Sequence, residues 1–190
     1  MPTIELEYKP KVTMPIYIET LYGYDNDLFE KQIRECGDVQ DKKTNVKAEM
    51  TKWLLTEYES FRNLGVDVIA NHLPYLNKPA IDGSVFDWVA TALWGNIYHK
   101  GDYTALHDHL PAVYVFVYYA RAPEGSAPLI LDDLGETWYP KEGDLVIFPG
   151  HLKHSVPEHT IDEDRISIVG NLTTAPTIKG KYVYNAKNII

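Results

Sequence analysis

The 190-residue sequence predicts a mostly β fold, a sandwich or barrel, with helices confined to the N-terminal part. The length suits one domain with a substantial core. The 14 tyrosines favour strands, because aromatic side chains pack well on a pleated surface. From residue 85 onward, short β-branched and aromatic segments alternate with Gly, Pro and Asp, a texture typical of sandwiches and barrels. We expect a single domain over 1–190, with helical support over about 26–75 and the barrel over about 85–185.

The first elements combine a strand region with a short helix. Residues 1–20 alternate loosely between apolar and polar side chains, which predicts one or two strands. Asn26 has the chemistry of an N-cap and precedes an acidic first turn, and Gly37 follows the last apolar position. We therefore expect a helix between Asn26 and Gly37, followed by a polar loop over 38–44.

A longer apolar pattern follows that loop. Between residues 45 and 65, apolar side chains recur at steps of three and four, at Met50, Trp53, Leu54, Tyr58 and Phe61. This spacing predicts an amphipathic helix of about four to five turns whose aromatic face packs on the core. Gly65 is expected to end this helix, and a weaker second helix is expected over 66–73, before Pro74.

The second half of the chain is predicted to consist of strands. The candidate strand segments are VFDWVATALWGNIYHKG, AVYVFVYYARA, PLILDDL, DLVIFPG, ISIVGNL and KYVYNA. Gly, Pro and Asp separate them, as expected for turns between short strands. The stretch APEG at 122–125 predicts a hairpin turn.

Composition excludes several classes of protein. The net charge is −9 with only 18 Lys and Arg residues, so binding to nucleic acid is not expected. The single cysteine, Cys36, excludes an intramolecular disulfide and a thiolate zinc cage, and we interpret it as an idle thiol. No signal-type segment and no run of 18 apolar residues occurs, so we expect no membrane association and a cytoplasmic location.

The stretch GDYTALHDHLP at 101–111 suggests a metal site. If the chain is extended there, His107 and His109 point to one side and Asp108 points to the other. A third ligand must come from elsewhere, and His154, in FPGHLKHSV, is the best candidate. Imidazole suits Fe, Zn, Cu or Ni, so ligand type alone does not choose the metal. We interpret the remaining histidines as ordinary surface or core residues, namely His72, His99, His151 and His159.

Four motifs together resemble a known family. They are YHKGDYTALHDH, EGDLVIFPGHLKHSV, DRISIVGN and, upstream, TNVKAEMT. Over about residues 44–172 the chain resembles a phage-encoded group of prolyl-hydroxylase-like Fe(II)/2-oxoglutarate oxygenases. The resemblance implies a double-stranded β-helix, which is a cupin-like jelly-roll barrel with helices packed on one side. It also implies Fe(II) in the barrel mouth, 2-oxoglutarate and O2 as co-substrates, a hydroxylated product with succinate and CO2, and, for a phage protein, the host cytoplasm.

The resemblance also implies roles for individual residues. His107 and His154 match the two histidine ligands, but position 109 carries His where the family has a carboxylate. His109 could be the third ligand, Asp108 could replace it if the strand is bulged, or water or an anion could fill the place. Strand alternation favours His109.

The same resemblance points to a co-substrate site. Arg165, eleven residues after His154, matches the residue that binds the distal carboxylate of 2-oxoglutarate, and Ser167 follows on the same strand face. Tyr98 matches a position that contacts the co-substrate.

Two other functions remain open from the sequence. One is a three-histidine cupin-type enzyme that does not use 2-oxoglutarate, and the other is a non-catalytic jelly-roll binding protein. Neither requires the pair formed by Arg165 and Ser167, so these two residues distinguish them from an oxygenase. The prime substrate is not predicted, and a peptide, an amino acid or a small metabolite are all compatible with the sequence.

Overall fold

A computed structural model describes residues 15–38, 44–76, 86–178 and 181–182. Its strands form two antiparallel sheets that face one another, and its helices precede most of the strands in the chain. The predicted mostly β fold with N-terminal helices is confirmed. Within the described ranges, no helix has both the length and the apolar composition needed to cross a lipid bilayer.

The larger sheet has seven strands. Six of them lie side by side in the order β1-β9-β6-β11-β4-β3, and β12 pairs with β11. Their bounds are Tyr17–Thr20 for β1, Glu49–Met50 for β3, Phe86–Tyr98 for β4, Tyr114–Arg121 for β6, Asp144–Pro149 for β9, Arg165–Ile178 for β11 and Lys181–Tyr182 for β12. The longest strands, β4 and β11, pair along almost their whole length.

The smaller sheet has five strands in the order β2-β5-β10-β7-β8. Their bounds are Val46–Lys47 for β2, Tyr103–His107 for β5, Leu129–Leu131 for β7, Glu136–Trp138 for β8 and His154–Val156 for β10. The predicted APEG turn exists, since Ser126 N–H donates to the carbonyl of Pro123 at 3.0 Å. It does not close a hairpin, because it connects β6 of the larger sheet to β7 of the smaller one.

Helix α1 spans Asn26–Cys36 and follows the prediction closely. The N-cap is Asp25 rather than Asn26, because the Asp25 carboxylate accepts the N–H of Leu28 at 2.9 Å. The Asn26 side chain instead accepts the Tyr118 hydroxyl at 2.7 Å, which ties the helix to the larger sheet. Gly37 ends the helix with a φ of +67°, a conformation that favours glycine.

The long helix predicted over 45–65 is wrong in its first half. Residues 46–50 form β2 and β3, which pair with β5 and β4, so tertiary strand pairing overrides the helical spacing. A 3-10 turn follows at Leu55–Glu57, and helix α2 spans Glu59–Asp67. Gly65 does not end α2, which continues through a π-helical turn at Val68–His72 and a 3-10 turn at Leu73–Tyr75.

Two apolar layers hold the fold together, and strand alternation separates them. On β11, Ile166 and Ile168 face the helices and pack in a core with Phe29, Phe61 and Leu64. Val169 points the other way, into the layer between the two sheets. The odd-numbered face of β11 therefore looks into the space between the sheets, where the polar side chains described next are found.

The strand predicted in KYVYNA is present only as Lys181–Tyr182 within the described residues. Three other parts of the predictions lie outside them: the strand at residues 1–14, the loop at 39–43, and the remainder of KYVYNA.

Candidate metal centre

Three histidines converge at the end of β5 and the start of β10, two neighbouring strands of the smaller sheet. His107 is the last residue of β5, and His154, the first residue of β10, is paired directly with it. His109 lies two residues beyond the end of β5, and its N–H donates to the carbonyl of Gly150 at 2.8 Å. One ring nitrogen from each histidine lies within 4.8 Å of those of the other two. The three residues that the sequence proposed as metal ligands are therefore neighbours.

Hydrogen bonds at the Nδ1 atoms fix which nitrogen of each ring is free. His107 Nδ1 lies 2.9 Å from the carbonyl of Ala105, and His154 Nδ1 lies 2.9 Å from that of Leu152. A carbonyl only accepts, so both Nδ1 atoms donate, and both Nε2 atoms keep a lone pair. His109 Nδ1 faces the amide oxygen of Asn171 at 2.8 Å, which selects the same form of that ring.

The spacing of the free nitrogens suits a shared cation. The Nε2 atoms of His109 and His154 are 3.2 Å apart. Two nitrogens bound to one metal at about 2.1 Å are separated by roughly 3.0 Å at a right angle and roughly 3.4 Å at the tetrahedral angle. Two lone pairs at this distance repel unless a positive charge lies between them, so this donor set fits a metal ion.

The electrostatic environment keeps these rings neutral. Burial lowers the pKa of His154 to about 3 and that of His109 to about 4, and in both cases the neighbouring His107 adds to the effect. Burial also lowers the pKa of His107. A metal binds the unprotonated imidazole, so these rings are ready to coordinate at neutral pH without first losing a proton.

Asp108 does not join the cluster. Its side chain is exposed, and its carboxylate accepts the N–H of Leu110 at 3.1 Å. Strand alternation is not the reason, since β5 already ends at His107. The main-chain contact with Gly150 and the side-chain contact with Asn171 place His109 instead.

A polar cavity continues from the histidines into the space between the sheets. Alternate residues of β4 and β11 line it in register: Arg165 opposite Tyr98, Ser167 opposite Asn96, and Val169 opposite Trp94. The same cavity reaches all three histidines. The structure therefore brings the predicted metal ligands and the three predicted co-substrate residues to one cavity.

Arg165 is the most unusual residue of this cavity. It is 1% exposed, and its Nε and Nη1 atoms have no hydrogen-bond partner among the described residues. Its guanidinium lies 4.6 Å from the ring centroid of Tyr98 and 5.0 Å from that of Tyr119. A buried charge without a counter-ion is costly, so this arrangement calls for an anionic ligand.

The acidic residues just before Arg165 do not neutralise it. Asp162 pairs with Lys100 at 2.9 Å, and Asp164 pairs with Arg34 at 2.6 Å. Glu163 contributes a main-chain carbonyl to His159 at 2.7 Å. In the described part of the chain, no carboxylate forms an ion pair with Arg165.

Other polar groups around the cavity are also unsatisfied. Asn96 Oδ1, Trp94 Nε1 and the Tyr119 hydroxyl are buried and lack hydrogen-bond partners within the described ranges. Burial raises the pKa of Tyr119 to about 12, although the charge of Arg165 opposes the shift. Ser167 is buried in the same wall, and the Tyr98 hydroxyl is already bonded to Thr104 Oγ1 at 2.6 Å. Several of these groups can therefore serve a polar ligand.

The sequence did not identify Asn171, Asn96, Trp94 or Tyr119 as site residues. Asn96 and Asn171 could have been noticed as polar residues inside otherwise apolar strand segments, whereas Trp94 and Tyr119 resemble ordinary core aromatics. The other buried histidine, His159, is satisfied: it accepts the N–H of Ala127 at Nδ1 and donates from Nε2, as expected for a structural residue.

Comparison with known proteins connects this geometry to one fold. Residues 134–171 match the family model described as "Putative 2OG-Fe(II) oxygenase". No curated protein sequence matches the chain significantly.

Solved structures resemble the chain over most of its length. The viral collagen prolyl hydroxylase of Paramecium Bursaria Chlorella virus-1, in a 2-oxoglutarate complex, has a TM-score of 0.62 and 17% identity, covering 82% of this chain and 95% of its own. A prolyl-4-hydroxylase of Pseudomonas putida has a TM-score of 0.59 and 15% identity, with coverages of 84% and 92%. HygX of Streptomyces hygroscopicus, with nickel and 2-oxoglutarate bound, has a TM-score of 0.61 and 12% identity, with coverages of 84% and 83%. The predicted jelly-roll fold is confirmed by these similarities.

Proposed function

We propose that this protein is an Fe(II)- and 2-oxoglutarate-dependent oxygenase that hydroxylates a substrate not yet identified. One observation carries the proposal: a three-histidine cluster and a buried, unpaired arginine face the same cavity. A metal ligand set at one end and a carboxylate binder at the other suit 2-oxoglutarate, which has a metal-chelating end and a distal carboxylate. The family match over residues 134–171 and the shared fold support the same assignment.

In this proposal His107, His109 and His154 hold the iron through their Nε2 atoms. With only three protein ligands, the metal would keep room for 2-oxoglutarate and O2. With both groups bound, the iron centre supplies the oxidative decarboxylation of 2-oxoglutarate to succinate and CO2 and the oxidation of a substrate C–H bond. His109 replaces a carboxylate ligand, so the protein contributes no negative charge to the metal through these three residues.

The remaining cavity residues bind and orient the co-substrate. Arg165 offers guanidinium N–H groups that have no partner among the described residues, and a guanidinium can bind a carboxylate through two parallel N–H groups. The Ser167 hydroxyl, two residues along the same strand face, provides a further donor, and the Tyr98 ring holds the guanidinium in place. Trp94 and Tyr119 close the walls, which excludes water from the reacting end.

The prime substrate belongs to one of three classes: a peptide, a free amino acid or a small metabolite. The relatives differ in this respect, since two are named as prolyl hydroxylases and one structure of HygX contains hygromycin B.

We also propose that residues 1–190 form one domain, because α1 and α2 pack on the same sheet that carries Arg165.

The proposal is tested by anaerobic titration of the Fe(II)-loaded protein with 2-oxoglutarate, following the metal-to-ligand charge-transfer band. Wild type should develop the band, and Arg165→Met should weaken binding by more than tenfold, because loss of a buried charge partner costs about 2–5 kcal/mol. Ser167→Ala should lose about 1 kcal/mol of binding free energy. Arg62→Ala removes an exposed arginine far from the cavity and serves as the matched control.

Two outcomes would redirect the assignment. A wild-type protein that binds iron but shows neither the band nor calorimetric binding at millimolar 2-oxoglutarate would favour the three-histidine cupin-type enzyme. A protein that binds metal and 2-oxoglutarate but turns over no 2-oxoglutarate with any substrate would favour the non-catalytic jelly-roll binding protein.

A further inference from the structure

The three histidines of the cluster are not held in the same way. His107 and His154 each donate from Nδ1 to the main-chain carbonyl two residues earlier, at Ala105 and Leu152. His109 has no such local acceptor and lies beyond the end of β5. Its Nδ1 meets the side chain of Asn171, which is 62 residues away in the chain and belongs to the larger sheet.

This difference matters because a neutral imidazole carries its proton on either nitrogen. A main-chain carbonyl fixes the proton on Nδ1 and leaves Nε2 free for a metal. Without an acceptor at Nδ1, His109 could place its proton on Nε2 and donate it to His154 Nε2, which is only 3.2 Å away. That state is a hydrogen-bonded histidine pair and cannot bind a metal through His109.

We propose that Asn171 is a positioning residue that keeps His109 in its metal-binding form by accepting Nδ1–H at the amide oxygen. The inference rests on the metal site of the proposed function but not on its co-substrate. Two further contacts support a fixed ring. The Trp94 ring stacks on His109 with centroids 5.8 Å apart and planes at 22°, and the Thr91 hydroxyl contacts the main-chain carbonyl of Asn171 at 3.4 Å.

Regular strand alternation places the Asn171 side chain. Residues 165–171 of β11 pair one by one with residues 98–92 of β4, and the register shifts only beyond Asn171, where Thr91 of β4 is skipped. Asn171 therefore shares a strand face with Arg165, and it lies beside His107 and His109.

Three variants test whether Asn171 acts by accepting the hydrogen bond from His109. Asn171→Leu has no acceptor and should weaken metal binding by about 10–100-fold, the usual effect of losing a hydrogen-bond partner of a metal ligand. Asn171→Asp can only accept at that position, so it should bind metal at least as tightly as wild type. Asn63→Leu is the matched control, since Asn63 is exposed and lies on α2.

The measurement is Co(II) affinity by competition with a chromophoric chelator, without 2-oxoglutarate and without turnover, together with the Co(II) electronic spectrum. Thermal unfolding of each apoprotein checks that the variants fold. We expect Asn171→Leu to lose affinity and change the spectrum, and Asn171→Asp to restore both.

Wild-type affinity in Asn171→Leu, or an Asn171→Asp protein that binds no more tightly than Asn171→Leu, would overturn the inference. The proposed function fails by a different result: a wild-type protein that binds Co(II) normally but does not bind 2-oxoglutarate in its Fe(II) form.

Discussion

Replacement of Arg165 by methionine should make the ligand-free protein more stable, although it removes the co-substrate anchor. Methionine keeps most of the side-chain length and packs well against the rings of Tyr98 and Tyr119. The variant removes a buried charge whose Nε and Nη1 have no partners among the described residues. Removing one member of a buried ion pair usually destabilises a protein, because the other charge is left unpaired. Arg165 has no carboxylate partner among the described residues, so the mutation leaves no such charge behind.

The expected magnitude follows from these contacts. Each unsatisfied donor costs about 1–3 kcal/mol, and each cation–π contact returns about 1–2 kcal/mol when desolvated. Sulfur–aromatic contacts of methionine recover about 0.3–1.5 kcal/mol per ring. At the middle of these ranges, removing two unsatisfied donors and exchanging two cation–π contacts for two sulfur–aromatic contacts gives a net gain of about 3 kcal/mol in unfolding free energy. This corresponds to an increase of roughly 6–12 °C in Tm for a domain of this size.

The assay is thermal unfolding of wild type and Arg165→Met, with and without 2-oxoglutarate, in the presence of Mn(II) to prevent turnover. A ligand at 100 times its Kd adds about 2.7 kcal/mol to the protein that binds it. We expect the variant to be more stable without 2-oxoglutarate and wild type to recover the difference when it is added. If the variant without 2-oxoglutarate is less stable than wild type by about 1 kcal/mol or more, Arg165 is satisfied in the ligand-free protein and the reasoning is wrong.

Three further predictions concern the metal, the fold beneath it and pH. His154→Ala should lose stoichiometric iron after anaerobic loading, whereas Asp108→Ala should keep it, as elemental analysis will show; the reverse pattern would indicate a bulged strand with Asp108 as ligand. Gly150→Ala should unfold at least about 2 kcal/mol more easily in urea and bind iron more weakly, because its Cβ would lie 2.2 Å from a main-chain carbonyl oxygen; unchanged stability would contradict this. Burial lowers the pKa of His99, but the hydrogen bonds that its ring donates to Asp164 and Glu49 outweigh burial and raise the pKa. The stabilisation from His99 is therefore full below about pH 6.5 and is lost as pH rises through the raised pKa, so urea unfolding from pH 6 to 9 should show a steeper loss of stability in wild type than in His99→Gln.

The sequence predicted the strands of the second half well because their pattern is local. In β6 and β9, β-branched and aromatic runs end at Gly, Pro or charged residues, and the structure places strands there. The metal cluster could also be predicted from the sequence. His107 is the last residue of one strand, and His154 is the first residue of the strand that pairs with it. Strand alternation predicted that His109 lies beside His107, and it does. The strand ends at His107, however, so the hydrogen bond from His109 N–H to the carbonyl of Gly150 is what positions His109.

The failures share a physical cause, which is the distance along the chain between the partners. Residues 46–50 have helical spacing, yet they pair with strands whose residues lie about 50 positions later. Asn171 contacts His109 across 62 residues, and no spacing rule connects two such positions. Contacts between residues that are far apart in the sequence can be identified only once the strand pairing of the sheet is known.

Strand β11 carries Arg165, Ser167, Val169 and Asn171 on one face, and it lies between β4 and β6 in the larger sheet. Paired on both sides, it holds Arg165 in a fixed place in the sheet, six residues along the strand from Asn171, which contacts His109. Under the proposed function, a 2-oxo acid must offer the arginine a distal carboxylate while its other end reaches the metal, and pyruvate, which has a single carboxylate, would leave the arginine unpaired. Selectivity among 2-oxo acids would then reside in one residue of this strand.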